Sequence, residues 1–67
     1  MNEIEFLRKM YPKDTRIVLR HMDDPFAPPS GTKGTVTWVD DIGQIHVNWD
    51  NGSTLALNVK LDRFSKI

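Results

Sequence analysis

The segment Gly34-Thr35-Val36-Thr37-Trp38-Val39-Asp40-Asp41-Ile42-Gly43-Gln44-Ile45-His46-Val47-Asn48-Trp49-Asp50-Asn51-Gly52-Ser53-Thr54-Leu55-Ala56-Leu57 decides the fold. Ile45, Val47 and Trp49 alternate with Gln44, His46 and Asn48, the period-two signature of a strand with one buried face. Asn51-Gly52 follows and predicts a type I′ turn, with positive φ at both residues. Leu55 and Leu57 alternate with Thr54 and Ala56 on the predicted return strand. Upstream, Asp40-Asp41-Ile42-Gly43 reads as a turn with Gly43 in the left-handed region. The segment predicts an antiparallel meander of three strands.

Alternation fails once. Val36 and Val39 are three apart, so one face cannot hold both in a regular strand. A β-bulge near Thr37-Trp38 restores the register and bends the strand as closure of a small barrel requires. Trp38 then points outward or lies at the rim.

Toward the N-terminus, Thr15 to His21 predicts another strand, with Ile17 and Leu19 on the core face and Arg16, Val18 and Arg20 opposite. Between it and Gly34 runs Met22-Asp23-Asp24-Pro25-Phe26-Ala27-Pro28-Pro29-Ser30-Gly31, where prolines forbid a central strand and stiffen the chain. A long, non-repetitive loop in so short a chain is a candidate for function. Before Pro12, Asn2 caps a predicted helix within residues 1–11, with Glu3 and Glu5 in its first turn and Arg8 and Lys9 near its end. Ile4, Leu7 and Met10 share one face, expected to form a lid over one barrel opening. Past the meander, Asn58-Val59-Lys60 predicts a single helical turn, and Leu61 to Phe64 a last short strand or docking tail with Phe64 in the core. The expected architecture is mainly β: a small five-stranded SH3-like barrel over residues 15–64 with a short N-terminal α-helix.

Sixty-seven residues suffice for one domain, and the absence of cysteine excludes disulfides and thiolate metal sites. Acidic and basic residues balance at nine each, which argues against general nucleic-acid binding. Residues 1–22 are nevertheless slightly basic, with five Lys/Arg against three Asp/Glu, and the first strand carries two of the arginines. No apolar run reaches membrane-spanning length, and Met1 to Glu5 lacks the basic start of a secretory signal. A cytoplasmic protein is expected.

The pattern as a whole resembles small SH3-like barrels, and Gly34-Thr35-Val36 with Val39 is similar to the motif of KOW-type barrels. A longer resemblance runs from Tyr11 to Phe64. It rests on Tyr11-Pro12, Thr15 to Leu19, His21 to Pro25, Pro28 to Val36, Val39 to Gly43, Ile45 to Val47, Trp49 to Ser53 and Asp62 to Phe64. These words resemble a bacterial and phage family of unknown function. The resemblance implies a cytoplasmic accessory protein of phage or mobile-element origin, and no activity. Residues 1–10 fall outside the quoted pattern.

Catalytic chemistry finds little support. His21, Asp23 and Asp24, with His46 and Asp50, offer nitrogen and oxygen donors for a metal, but turn chemistry before Pro25 and at the hairpin accounts for them better. Ser30 and Ser53 sit in glycine turns, with no nucleophile motif and no phosphate-cradling loop. The expectation is a non-enzymatic binding module, without cofactor or metal, that takes a protein partner. Tyr11, Phe26 and Trp38 exceed what the predicted core holds, so they are the candidate groove residues, flanked by Arg16, Arg20 and Lys33. The alternative is a nucleic-acid-binding barrel of KOW or Tudor type, with these cations on phosphates and Trp38 as a stacking platform.

Overall fold

A computed structural model describes residues 1–67. Helix α1 spans Glu3–Met10, followed by strands β1 (Arg16–His21), β2 (Lys33–Val39), β3 (Gln44–Trp49), β4 (Leu57–Asn58) and β5 (Arg63–Lys66). All strand pairs are antiparallel in one five-stranded sheet, ordered β4-β3-β2-β1-β5. The two edge strands, β4 and β5, do not pair with each other. The expected mainly β fold with an N-terminal helix is therefore present, but the barrel is not closed.

The interior face carries what the alternation predicts. Ile17, Leu19, Val36, Val39, Ile45, Val47, Trp49 and Leu57 are buried in one cluster, joined by Leu7 from α1. Gly34 lies in the middle of the sheet, between Ile17 of β1 and Trp49 of β3. A Cβ there would sit 2.5 Å from Val47 Cγ1 and 2.8 Å from Trp49 Cε3, closer than packed atoms tolerate. Its lack of a side chain lets the two core residues close over β2.

The bulge occurs where the spacing predicts it. Val36 pairs with Val47 but Trp38 with His46, leaving Thr37 as the extra residue. Thr37 Oγ1 donates to His46 C=O at 3.1 Å. Val39 returns to the core and Trp38 turns outward, with 54% of its surface exposed. A second bulge, with no forewarning in the sequence, interrupts β1 and β5: Leu19 pairs with Phe64 but His21 with Arg63, so Arg20 is extra.

Both turns around β3 differ in kind. Asp40–Gly43 is as expected, with Gly43 at φ 84° and Asp40 Oδ1 accepting from Ile42 N–H (3.1 Å) and Gln44 N–H (2.9 Å). The Asn51-Gly52 turn is not type I′. Gly52 is at φ 92°, but Asp14 is the chain's only non-glycine residue at positive φ. The loop is closed by Gly52 N–H to Trp49 C=O (2.9 Å) and Trp49 N–H to Ser53 C=O (3.0 Å), as in a longer hairpin loop with one left-handed glycine. Asp50 is held on the β2 side by its N–H to Lys33 C=O at 2.8 Å. The chain then leaves the sheet, and the predicted return strand from Thr54 shrinks to Leu57–Asn58. Leu55 is only half-buried; its C=O accepts the Trp49 indole N–H at 2.9 Å.

Helix α1 is capped by Asn2, whose Oδ1 accepts from Glu5 N–H at 2.8 Å. Ile4 and Leu7 approach Gly43, and Arg8 Nε donates to Val39 C=O at 3.2 Å, so the helix lies across the β2–β3 turn. Met10, expected beside them, is instead 38% exposed. At the other end, Leu61 and Asp62 N–H groups both donate to Asn58 C=O, forming the expected single turn. Phe64 packs against the core cluster without being fully buried.

Candidate binding groove

Because β4 and β5 do not meet, α1 and β5 leave a groove of about 750 Å³ between them. Phe6, Met10 and Tyr11 form its helical wall; Arg20, Arg63 and Phe64 form much of the sheet side. Phe6 is 54% exposed although its neighbour Leu7 is buried. The Tyr11 ring rests against Phe64, centroids 5.4 Å apart, and Lys66 Nζ lies 5.1 Å from the Tyr11 centroid. Tyr11 thus belongs to both the core boundary and the groove floor.

The same wall has an open backbone edge. β5 pairs with β1 alone, and Ile67 N–H donates to Arg16 C=O at 3.1 Å. In an antiparallel ladder the inward and outward groups alternate. Ser65 and Ile67 therefore face β1, while the N–H and C=O groups of Phe64 and Lys66 face away from it. Such groups are a template for another strand.

Trp38 occupies a different place. Its ring stacks on His46 with centroids 4.6 Å apart and an interplanar angle of 20°. His46 Nε2 lies 2.8 Å from Asp40 Oδ2. That hydrogen bond, then the Gln44 and Ile42 N–H bonds, hold the Asp40 carboxyl below the usual aspartate range against the opposing pull of desolvation. A shallow depression beside Trp38 includes Arg8, Tyr11, Pro12 and Lys13.

The sequence-derived candidates therefore separate into distinct places. Tyr11 and Arg20 share the α1–β5 groove, and Tyr11 also borders the depression at Trp38. Phe26 is 81% exposed on its loop and lines neither concavity. The loop is shaped locally, by Phe26 N–H to Asp24 Oδ1 at 2.8 Å and Ala27 N–H to Asp24 C=O at 3.0 Å. Buried Pro28 anchors it instead of Phe26. Arg16 is engaged by Asp50 in two parallel bonds of 2.8 Å and by Thr35 Oγ1 at 3.0 Å. This contact raises the Arg16 pKa and lowers that of Asp50, with exposed Lys33 adding to the latter. The common groove expected for Trp38, Phe26, Tyr11, Arg16, Arg20 and Lys33 is not formed, because the bulge and the Arg16–Asp50 pair direct these side chains to separate surfaces.

Sequence reasoning missed Phe6, Arg63 and Lys66. Phe6 and Met10 are four apart on a helix, a spacing that places them together; the Ile4-Leu7-Met10 stripe drew attention away from it. No three His, Cys, Asp or Glu side chains converge as a metal site. No helix is long and apolar enough to cross a membrane.

A family model described as "Domain of unknown function (DUF4314)" matches residues 1–67, so the family pattern includes the helix that the resemblance from Tyr11 onward left out. No curated protein and no solved structure matches the chain.

Proposed function

The chain belongs to that family of unknown function, and we propose that it acts as a non-enzymatic protein-binding module whose α1–β5 groove receives a segment of a partner. The observation that carries this reading is the coincidence of exposed Phe6 and Met10 with the open edge of β5. Exposed apolar side chains beside unpaired backbone supply both terms of chain recognition: area removed from water, and hydrogen bonds that need no particular sequence. The module fits a cytoplasmic accessory or inhibitor protein of phage or mobile-element origin, as the resemblance implies.

The nucleic-acid alternative loses its expected apparatus. Arg16 is bound to Asp50, and Arg20 lies in the groove while Trp38 stacks on His46 elsewhere.

The test compares wild type with Phe6→Asp as baits in a lysate of the native host. A protein retained by wild type and lost with Phe6→Asp, at equal thermal stability, supports the reading. Equal capture by both baits rules out the groove. Salt-sensitive retention of wild type on single-stranded nucleic acid would favour the alternative, since counterion release makes such binding fall steeply with salt.

A further inference from the structure

Two of the arginines are neutralised within the chain: Arg8 pairs with Asp41 at 2.9 Å and Arg16 with Asp50 at 2.8 Å. Arg20, Arg63 and Lys66 make no ion pair, and all three are exposed around β5. Two anions lie near the same groove. Asp62 already accepts Asn58 N–H at 2.8 Å, and Glu3 stands on the helical wall. Lys66 shares the Phe64 face of β5 and lies over Tyr11, so the sheet side of the groove carries a pair of arginines without an ion-pair partner, Arg20 and Arg63, along an open strand edge. The second bulge contributes to it, since Arg20 is its extra residue.

We infer that the occupant of this groove is an extended acidic segment of another protein, adding to β5 as a sixth strand; this rests on the binding-module reading above. Main-chain groups of Phe64 and Lys66 would pair with it, and its carboxylates would face Arg20 and Arg63, on the face of β5 opposite Phe64 and Lys66. Apolar side chains on its alternate positions would meet Phe6 and Met10, because successive residues of a strand point to opposite faces. The same charges disfavour a second copy of this chain. A second β5 edge, Arg63–Lys66, carries two cations and no anion, so it offers no carboxylate to these arginines and adds like charge beside them.

The test is a titration of ¹⁵N-labelled protein with three capped eight-residue peptides, alternating valine with glutamate, glutamine or lysine. The expected result is shifts of the Phe64 and Lys66 amides and of α1 around Phe6 and Met10, with the glutamate peptide at least tenfold tighter than the lysine peptide. Its affinity should fall as salt rises toward 0.5 M. Lys66→Pro removes one outward N–H without touching the bonds to β1, and Lys66→Gln removes only the charge. Binding that survives in Lys66→Gln but is lost in Lys66→Pro, with the Val18 amide signal on the facing strand unchanged, establishes strand addition. Equal affinity for the glutamate and lysine peptides, or no shift with any peptide, overturns the inference. If Phe6→Asp still loses a captured host protein, that failure leaves the binding-module reading standing. The same shifts produced more strongly by an oligothymidylate would assign the cations to phosphate and overturn both.

Discussion

The two bulges put the centre and the edge of one sheet side by side. In the centre, Thr37 is inserted between β2 and β3, and Trp38 is turned out of the core. At the edge, Arg20 is inserted between β1 and β5 and faces the groove. The same backbone device has opposite consequences. Trp38 meets His46, which meets Asp40, which is fixed by two backbone N–H groups, so the outward side chain is supported from within the chain. Arg20 meets no anion, and the strand beside it leaves backbone groups open. An exposed aromatic residue alone is therefore a poor guide to a docking surface; the better guide is a group left without its natural partner.

Truncating Leu7 should break the edge most severely. It is the helix residue in the core cluster, and Leu7→Ala should cost about 2–4 kcal/mol in urea denaturation, from lost burial and the cavity left behind. The α1 amides should lose their protection first. A cost below about 1 kcal/mol would mean that the helix wall of the groove stands without its anchor.

The centre should respond next, and by crowding instead of loss. Gly34→Ala places a methyl group against Val47 and Trp49 and should cost about 1–3 kcal/mol. Phe6→Asp, at the exposed wall of the groove, should by contrast change stability by no more than about 0.5 kcal/mol. Equal melting temperatures for Gly34→Ala and wild type would show that β2 and β3 do not approach as closely as described.

Trp38→Ala sharpens the comparison. With 54% of its surface exposed and one stacked neighbour, it should cost only about 0.5–1 kcal/mol, the worth of an aromatic pair. A buried tryptophan would cost about 3–5 kcal/mol, so one thermal melt separates the two situations.

The smallest effect is electrostatic. Asp40 is held below its ordinary value of about 3.9 mainly by His46. A depressed carboxylate stabilises the fold fully above that ordinary value, and the contribution is lost as pH falls through the lower folded-state value. The stability gap between wild type and Asp40→Asn should therefore narrow as pH drops from about 5 to about 2.5. A gap that stays constant over this range would show that the His46–Asp40 contact contributes nothing.

The central sheet was legible because its signals are local. Alternation of Ile45, Val47 and Trp49, the three-residue step from Val36 to Val39 and the glycine at 43 each constrain a few consecutive residues, and backbone sterics leave few ways to satisfy them. Those features predicted β3, the bulge, the outward Trp38 and the Asp40–Gly43 turn. The Asn51-Gly52 signal, equally local, failed in detail because Asp50 is tied to Lys33 and Arg16, contacts with other strands that no hairpin rule includes.

The groove was decided by tertiary structure alone. It requires α1, at the start of the chain, to lie beside β5, at its end. Phe6 reads as surface or core until that neighbour is known, and Arg20 and Arg63 read as scattered charges until the Arg20 bulge and the β1–β5 register bring them together. Periodicity tells which side of an element is apolar, because that follows from the geometry of one element. Which exposed groups end up adjacent, and which of them lack a partner, depends on packing between elements distant in sequence, and only the folded chain fixes that.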